Sequence, residues 1–344
     1  MIEVGFLHTW VPRASAVLSY LFNPLFIYLV IYKTRSPIGS YKYILISFAV
    51  FDLVYTTVEL LCGMGTHGHE GAFVVFVSHG FFYENLHAGL IMLSIRCGFI
   101  SLSYGILAIH FIYRYVALCR PDKLPIFTET KYVVGFFVFF LLHGVVWSGV
   151  CYFLLYGDEE MRSYMDEAFI EAYNVSALDV PMLGSIFWDV SGPLCFRGWL
   201  GILILTGVSC YAITFYGILG YKIHRQLDNN SISKKAINMH RQLLKALVIQ
   251  TVIPMAISYC PCIVAWYTPL VGLSVGKYNN YYTIIFLSFF PFCDPIAVIF
   301  FLPDYRRAVL QMFGIKSATS LNSISQVSIT TVPTTKKSAI SVMY

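Results

Sequence analysis

Seven long apolar stretches run through the sequence, and no other feature limits its fold so strongly. Each has about the 20 mostly apolar residues that a helix needs to cross the hydrocarbon core of a bilayer. They cover residues 16–32, 44–63, 90–113, 132–156, 199–221, 243–266 and 281–302. Charged residues make up only 12% of the chain, about half of their share in soluble domains. The sequence therefore predicts an all-α integral membrane protein built as a seven-helix bundle.

Other interpretations of these apolar stretches fit the sequence less well. Membrane β-barrels are made of strands of about ten residues with alternating polarity, whereas residues 133–142 are apolar throughout. A signal peptide begins with basic residues and ends in small ones, whereas the first stretch follows Glu3 and ends in bulky side chains at residues 29–32. Residues 72–82 are apolar but too short to span a bilayer, and we predict an interfacial or loop element there.

Charged residues divide unequally between the two sets of loops. One set, with the C-terminal segment, carries 18 basic and four acidic residues, a net charge of +14. The other set, with the N-terminal segment, carries five basic and eleven acidic residues, a net charge of −6, while Asp52, Glu59 and Asp294 lie within the spans. Because Lys and Arg are enriched in cytoplasmic loops, we predict an N-terminus outside and a C-terminus inside the cell.

Two segments follow the seventh span. Residues 303–314 begin with Pro303, end with Gly314 and carry apolar residues at helical spacing, which predicts a short amphipathic helix on the membrane surface. Residues 316–344 hold twelve Ser or Thr and predict a disordered cytoplasmic tail, either regulated by phosphorylation or simply solvated. We therefore expect one seven-span domain over residues 1–315 and a tail over residues 316–344.

The longest predicted outer loop carries two candidate modifications. Asn174 begins an Asn-Val-Ser triplet, the acceptor pattern for N-glycosylation. Cys97, at the head of the third span, and Cys195, at the end of the loop, could form a disulfide that pins the loop over the bundle mouth. Cys62 and Cys151 are alternative disulfide partners. Cys97 and Cys195 could instead be small buried residues that form no disulfide.

Polar residues also occur inside the apolar stretches, where they are costly unless they face the bundle interior. We predict a buried polar cluster of Asn23, Asp52, Glu59 and Asp294, since Asp52 and Glu59 lie seven residues apart on one helix face. Asn23, Asp52 and Asp294 could together bind a cation or a proton, or they could form a satisfied polar seam between helices.

Enzyme and channel signatures are missing from the sequence. It contains no phosphate-binding loop, no nucleophile elbow and no His-Glu-x-x-His motif, so we predict no catalytic residues and no cofactor. No selectivity signature points to a channel. His67, His69 and Glu70 resemble a short metal-binding tract but are more simply polar loop residues, and we predict no metal. We expect no nucleic-acid partner either.

Four short motifs follow one another along the spans. Residues 38–43 (Ile-Gly-Ser-Tyr-Lys-Tyr) open the second span, and residues 110–115 (His-Phe-Ile-Tyr-Arg-Tyr) close the third. Residues 242–254 begin the sixth span, and residues 290–295 (Phe-Pro-Phe-Cys-Asp-Pro) lie in the seventh. With these motifs, residues 16–315 resemble the nematode serpentine chemoreceptors of the Str class, G-protein-coupled receptors that include the diacetyl odorant receptor.

This resemblance implies a multi-pass plasma-membrane receptor of sensory-neuron cilia, surrounded by membrane lipid, that binds a small volatile odorant and activates a heterotrimeric G protein. Arg114 resembles the arginine of the Asp-Arg-Tyr motif of rhodopsin-like receptors, although Tyr113 replaces the acid. Asp294-Pro295 resembles the Asn/Asp-Pro element of the seventh span without its tyrosine. The residues expected to act in activation and coupling are His110, Arg114, Lys245, Pro254, Asp294, Pro295 and Arg306.

A volatile ligand requires a pocket with aromatic walls and few polar groups. The outer halves of the third, fifth, sixth and seventh spans supply the candidates Phe99, Ser103, Tyr104, Trp199, Tyr259, Trp266, Tyr267, Tyr282 and Phe286. Trp199, Trp266 and Tyr282 could instead anchor the helices at the membrane interface. Pro254 and Pro295 are predicted bending points.

Two alternative functions remain open at this point. One is a seven-span small-molecule transporter, although the halves of the chain show no internal repeat. The other is a receptor that binds its ligand without coupling to a G protein. The sequence does not indicate an oligomeric state.

Overall fold

Helices dominate the computed structural model, which describes residues 2–34, 40–228, 234–273 and 276–314. In chain order the elements are α1 (Phe6–Tyr32), α2 (Tyr41–Leu61), β1 (Cys62–His69), β2 (Ala72–Gly80), α3 (Leu86–Cys119), α4 (Thr130–Leu154), α5 (Glu159–Tyr173), β3 (Met182–Ile186), α6 (Gly192–Asp228), α7 (Lys234–Pro254), α8 (Cys260–Tyr267), α9 (Asn279–Phe301) and α10 (Pro303–Met312). Among these residues seven helical segments are long and apolar enough to cross a membrane: α1, α2, α3, α4, α6, α7 with α8, and α9. The predicted seven-helix bundle is confirmed.

Helix α3 lies at the centre of the bundle and α4 at its edge. In the most apolar window of α3, 67% of residues are buried, against 11% in α4. The two helices approach closely through glycines, because a Cβ on Gly98 would stand 3.0 Å from the Gly144 carbonyl oxygen and even nearer to Ser148 Oγ. Small residues at such contacts allow tight packing without help from the hydrophobic effect.

A three-stranded antiparallel sheet covers one end of the bundle, in the order β1-β2-β3. Strands β1 and β2 form a hairpin that pairs Cys62 with Gly80 and His69 with Ala72, and β3 pairs Ile186 with Ala72. The predicted interfacial or loop element at residues 72–82 is therefore wrong, since most of it is the central strand of the sheet. We call this end of the bundle the outer end, following the orientation indicated by the loop charges.

Helix α5 packs over the outer surface of the sheet. Asp158 precedes the helix as its N-cap, and its side chain accepts a hydrogen bond from the backbone N–H of Met161 (2.9 Å), a favourable arrangement at a helix N-terminus. Its buried face, which includes Met165 and Phe169, contacts Phe76 and other apolar side chains of the sheet. The long outer loop, strand β2 and the N-terminal segment thus share an apolar cluster that is separate from the core of the bundle.

The sixth span changes its helical geometry midway. Residues Met255–Tyr259 form a π-helical turn between α7 and α8. Pro254 precedes this turn and Pro261 follows it. Proline lacks a backbone N–H, and its ring excludes the carbonyl four residues earlier from regular α-helical bonding. The two prolines account for the wide turn, which lies where the sequence predicted a bend at Pro254.

The predicted amphipathic helix after the seventh span is α10. Tyr305 and Ala308 on its inner face are buried, and the Tyr305 hydroxyl lies 3.0 Å from the Thr34 hydroxyl at the end of α1. Arg306 is exposed, as expected for a side chain near lipid headgroups. The predicted tail, residues 316–344, lies outside the described residues.

Candidate functional site

A cavity of about 50 Å³ lies between the sheet and the outer halves of the membrane helices. We call it the sheet-covered cavity. Side chains from all three strands and from α3, α4, α6, α8 and α9 line it. Its apolar walls include Met64, Phe73, Ile100, Trp147, Leu183 and Trp266. The arrangement encloses space in the part of the bundle where the sequence predicted a ligand pocket.

Three hydroxyl groups face this cavity without a hydrogen bond. Thr66 on β1, Ser185 on β3 and Thr283 on α9 all line it. They are 1%, 0% and 3% exposed, and their side-chain oxygens have no hydrogen-bond partner among the described residues. Leaving a buried polar group unpaired costs about 1–3 kcal/mol, so three such groups around one cavity indicate a place for a polar ligand atom or water.

Three thiols also line the sheet-covered cavity, namely Cys97, Cys151 and Cys262. All nine cysteines of the chain lie within the described residues and all are free thiols. The predicted disulfide between Cys97 and Cys195 is therefore not formed. Cys97 interacts with Cys151 inside the bundle, whereas the Cys195 thiol donates a hydrogen bond to the Phe187 carbonyl (3.0 Å).

The structure places the nine predicted pocket residues in different environments. Among the eight whose side chains the structure describes, Trp266 alone lines the sheet-covered cavity. Ser103, Tyr104 and Tyr259 form a buried cluster in which the Ser103 and Tyr259 hydroxyls lie 2.8 Å apart and the two tyrosine rings 4.4 Å apart. Tyr104 also contacts Trp147 of the cavity wall, with ring centroids 5.8 Å apart.

Four more of the predicted pocket residues, Phe99, Trp199, Tyr267 and Phe286, do not line the cavity. Phe99 stacks on Phe51, and Trp199 packs edge-on against Phe187. The Tyr267 hydroxyl lies 2.7 Å from the Thr206 hydroxyl. Phe286 is 41% exposed on α9, which is inconsistent with a pocket wall. The side chain of Tyr282 lies outside the described part of the structure.

A second polar site lies deeper in the bundle. The Asn23 amide donates hydrogen bonds to the Pro291 carbonyl (2.9 Å) and to Ser19. Asp294 accepts a hydrogen bond from Gln250 Nε2 (2.9 Å), and its carboxyl interacts electrostatically with that of Asp52. Both Asp52 carboxyl oxygens lack a hydrogen-bond partner among the described residues. The sequence pattern identified three members of this site but missed Gln250.

Glu59 does not join this deeper site, contrary to the predicted cluster. It forms an ion pair with Arg96 on α3, with 3.3 Å between Glu59 Oε1 and Arg96 Nη2, and both side chains are 5% exposed. Arg96 also donates to the Cys62 carbonyl at the start of β1. Seven residues of helix separate Asp52 from Glu59 by about 10 Å along the axis, so the two carboxyls share a face but reach different depths.

Two hydrogen-bonded residues fix the sheet to the rest of the outer end. The Asn280 side chain on α9 accepts from Thr66 N (2.6 Å) and donates to Thr66 O (2.7 Å), which extends the sheet edge to the bundle. His67 Nδ1 lies 3.1 Å from the Tyr173 hydroxyl of α5. Burial lowers the pKa of His67 to about 4, so His67 is neutral at physiological pH.

Asn174 ends α5 in a left-handed conformation with φ 55° and is exposed. Its position at the outer end is accessible to modification, and glycosylation of this residue stays a prediction. No group of three or more His, Cys, Asp or Glu side chains is placed to hold a metal ion within the described residues.

At the opposite, cytoplasmic end, Arg114 is held by aromatic rings. Its guanidinium carbon lies 3.4 Å from the centroid of the Tyr41 ring and 5.8 Å from that of Tyr113. Arg114 Nε and Nη2 have no hydrogen-bond partner among the described residues. His110, one turn earlier, lies 3.3 Å from the Tyr41 hydroxyl. Cation–π contacts with buried rings stabilise a guanidinium by about 2 kcal/mol.

The other predicted coupling residues lie on several helices. Lys245 on α7 and Arg306 on α10 are exposed near the cytoplasmic end, whereas Pro254 and Pro295 are buried. The structure thus separates two accessible cations from two buried prolines, one directly before the π turn and one inside α9.

Comparisons with known proteins agree with this architecture. The model of the serpentine type 7TM GPCR chemoreceptor family Srj matches residues 2–309. Serpentine receptor class J-38 of Caenorhabditis elegans is 32% identical over 317 residues, covering 92% of this chain and 96% of that one. G-protein coupled receptor str-217 of the same organism is 25% identical and covers 87% of this chain and 88% of its own.

A solved structure supports the same fold. Squid rhodopsin superposes with a TM-score of 0.60 over 95% of this chain and 91% of its own, at 14% sequence identity. The expectation of a nematode serpentine chemoreceptor is confirmed, with the class corrected from Str to Srj, while Str receptors are among the relatives. The chain is therefore a multi-pass membrane protein without enzymatic activity that belongs to the Srj family of serpentine seven-transmembrane GPCR chemoreceptors.

Proposed function

We propose that this receptor detects a small, uncharged volatile compound in the sheet-covered cavity and activates a heterotrimeric G protein. The observation that carries the proposal is the set of three buried, unpaired hydroxyls on Thr66, Ser185 and Thr283 around an apolar cavity. A ligand with one or two oxygen atoms would satisfy these groups, and hydrogen-bonding groups that lack a partner discriminate strongly for such a ligand.

The size and charge of the cavity limit the ligand class. A water-sized group needs about 10–15 Å³ of space, so a cavity of about 50 Å³ accepts about three to five heavy atoms without rearrangement. Among the described residues that line it, there is no Asp, Glu, Lys, Arg or His. A charged ligand would lose its hydration without gaining a partner of opposite charge. Short alcohols, ketones and aldehydes have the required size and polarity.

Contacts around the cavity connect it to the π turn of the sixth span. Cys262 and Trp266 line the cavity and lie on α8, directly after that turn. Tyr259 closes the turn and contacts Ser103 and Tyr104 of α3. A ligand that binds better to one arrangement of α8 shifts the population toward that arrangement. Single π turns inside α-helices often occur at functional sites, and this one lies between the cavity-lining residues of α8 and the cytoplasmic part of the span in α7.

The cytoplasmic end supplies a surface for the G protein. The loops and tail on this side carry a net charge of +14, which would steer an acidic partner surface toward it. Movement of α7 relative to α3 would expose Arg114 beside Lys245. The sequence resemblance implies a coupling role for both residues. We also propose location in the plasma membrane of a sensory cilium, on the basis of the family.

The test is a reporter assay in cells that express the full chain together with a reporter G protein. The probes are ethanol, acetone, 2-butanone and propanal, with propylammonium as a charged control of similar size. We expect a response to at least one uncharged probe and none to propylammonium. Flux of the probe in cells that lack the G protein would instead indicate a transporter.

A matched pair of variants tests whether the response arises in the sheet-covered cavity. Thr283→Val removes one unpaired hydroxyl and keeps the side-chain shape, so the concentration for half-maximal response should rise by about tenfold or more, as for a lost hydrogen bond. Thr57→Val removes a hydroxyl that lies 2.8 Å from the Tyr20 hydroxyl, distant from the cavity, and should leave the response unchanged. Equal responses of both variants would contradict the proposed binding site.

A further inference from the structure

A second cavity, of about 60 Å³, lies between α1, α2, α3 and the β1–β2 hairpin. We call it the hairpin cavity. Unlike the sheet-covered cavity, it is lined by histidine, arginine and glutamate side chains. These are His8, Arg13, Glu59, His79 and Arg96.

The fixed charges around the hairpin cavity do not cancel. Arg96 and Glu59 form the buried ion pair described above. Arg13 contributes a second guanidinium, which lies 5.4 Å from the centroid of the Trp10 ring and has no ion-pair partner among the described residues. One net positive charge therefore remains even when both histidines are neutral.

Hydrogen-bond donors at the cavity are also incompletely used. Arg96 is only 5% exposed, yet its Nε–H has no hydrogen-bond partner among the described residues. His79 Nδ1 lies 2.9 Å from the Ser78 hydroxyl, which leaves its other ring nitrogen available. His8 is 2% exposed, and its Nε2 donates to the Met64 carbonyl (2.9 Å). Leaving a buried guanidinium N–H without an acceptor costs free energy. A ligand that brings a hydrogen-bond acceptor into the cavity would remove this cost.

We propose that the hairpin cavity binds a small monocarboxylate anion of the size of acetate. A volume of about 60 Å³ holds about four to six heavy atoms at 10–15 Å³ each. One negative charge neutralises the excess charge of Arg13. A carboxylate accepts charge-assisted hydrogen bonds from guanidinium groups in a geometry that a neutral isostere matches less well. A dianion would leave an uncompensated charge next to Glu59.

The two cavities are distinct but share a wall. Met64 of β1 lines both of them, and Arg96 of the hairpin cavity is followed in α3 by Cys97 of the sheet-covered cavity. The anion site therefore adds a second ligand class to the uncharged compound proposed above. Binding at one site affects the other to the extent that both favour the same position of Met64.

Thermal unfolding of the purified full-length receptor in lipid nanodiscs tests the proposal directly. The probe is sodium acetate, with sodium chloride at equal ionic strength and acetamide as the uncharged isostere. A ligand that binds only the folded protein raises the Tm in a concentration-dependent way. We expect a saturable rise with acetate, and none with acetamide or chloride. An equal rise with either control would overturn the proposal.

Variants locate the effect in the hairpin cavity. Arg13 is exposed, so Arg13→Gln should fold normally and should raise the half-saturating acetate concentration by about tenfold. Arg13→Lys keeps the charge and should retain part of the binding. Lys277→Gln removes an exposed outer-end cation that does not line the cavity, and serves as the control. Unchanged acetate binding by Arg13→Gln, or an equal loss in Lys277→Gln, would refute the site.

Discussion

The buried ion pair between Glu59 and Arg96 offers a quantitative test of how the outer end is held together. Glu59→Gln keeps the shape of the side chain but leaves the Arg96 guanidinium without its carboxylate. Breaking a buried pair by removing one partner costs about 3–5 kcal/mol. Arg96 retains its hydrogen bond to the Cys62 carbonyl, and the pair distance of 3.3 Å is long, so we expect about 3 kcal/mol. For a chain of this size, this lowers the Tm by about 6 °C.

The assay follows Tm through the reaction of newly exposed cysteines with a thiol-reactive fluorophore, since Cys62 and Cys151 are buried in the folded chain. Glu59→Gln, Arg96→Gln and the double variant form a double-mutant cycle. We expect the double variant to be less destabilised than the sum of the single variants, because removing both partners leaves no unpaired charge. If the stability losses of the two single variants summed to the loss of the double variant within about 0.5 kcal/mol, as they do for independent sites, the pair would have no energetic role.

Three further outcomes follow from the structure. Because burial lowers the pKa of His67 to about 4 from about 6.5 in the unfolded chain, folding is favoured above pH 6.5. Stability should then fall by up to about 3 kcal/mol between pH 6.5 and 4, and the Tm of His67→Gln should depend less on pH. Gly98→Ala should destabilise the receptor by about 1–3 kcal/mol through overpacking against Gly144 and Ser148, whereas Gly149→Ala, with open space around its Cβ, should have little effect on Tm. Arg114→Glu should abolish ligand-evoked G-protein activation at unchanged surface expression, whereas Lys42→Glu should preserve it, and a fully active Arg114→Glu receptor would exclude the proposed coupling role.

The seven spans could be predicted because a run of about twenty mostly apolar residues folds in few ways other than as a membrane-spanning helix. The sheet could not, since β1 has the sequence Cys-Gly-Met-Gly-Thr-His-Gly-His, in which three glycines and no aliphatic β-branched residue weaken the signal of a strand. Its conformation depends on pairing with β2, whose apolar residues 72–77 were too few for a span. The conformation of these residues is decided by pairing between strands, including that of β2 with the distant strand β3.

The polar sites show the same limit at the level of single residues. Asn23, Asp52 and Asp294 stand out in apolar sequence, and they do lie in one region. Their neighbour Gln250 was not identified, because an isolated glutamine in a span has no pattern around it. The depth of Glu59 depends on Arg96, which the sequence assigned only to the outer charges. The spacing of residues along a helix indicates which helix face a side chain lies on. Which residue it pairs with depends on the sequence and position of the neighbouring helix.

The π turn at Met255–Tyr259 has a consequence for the helical phase of the sixth span. In a π turn the backbone hydrogen bond spans five residues, one more than the four that it spans in an α turn. Each residue added to a helix rotates the side chains that follow it by about 100° about the helix axis. Trp266 faces the sheet-covered cavity with this extra residue in place. An insertion or deletion of a single residue between Pro254 and Pro261 would therefore rotate Trp266 out of the cavity wall while the span kept its position in the bundle. Related chains that differ by one residue in this segment should present a different side chain to the ligand.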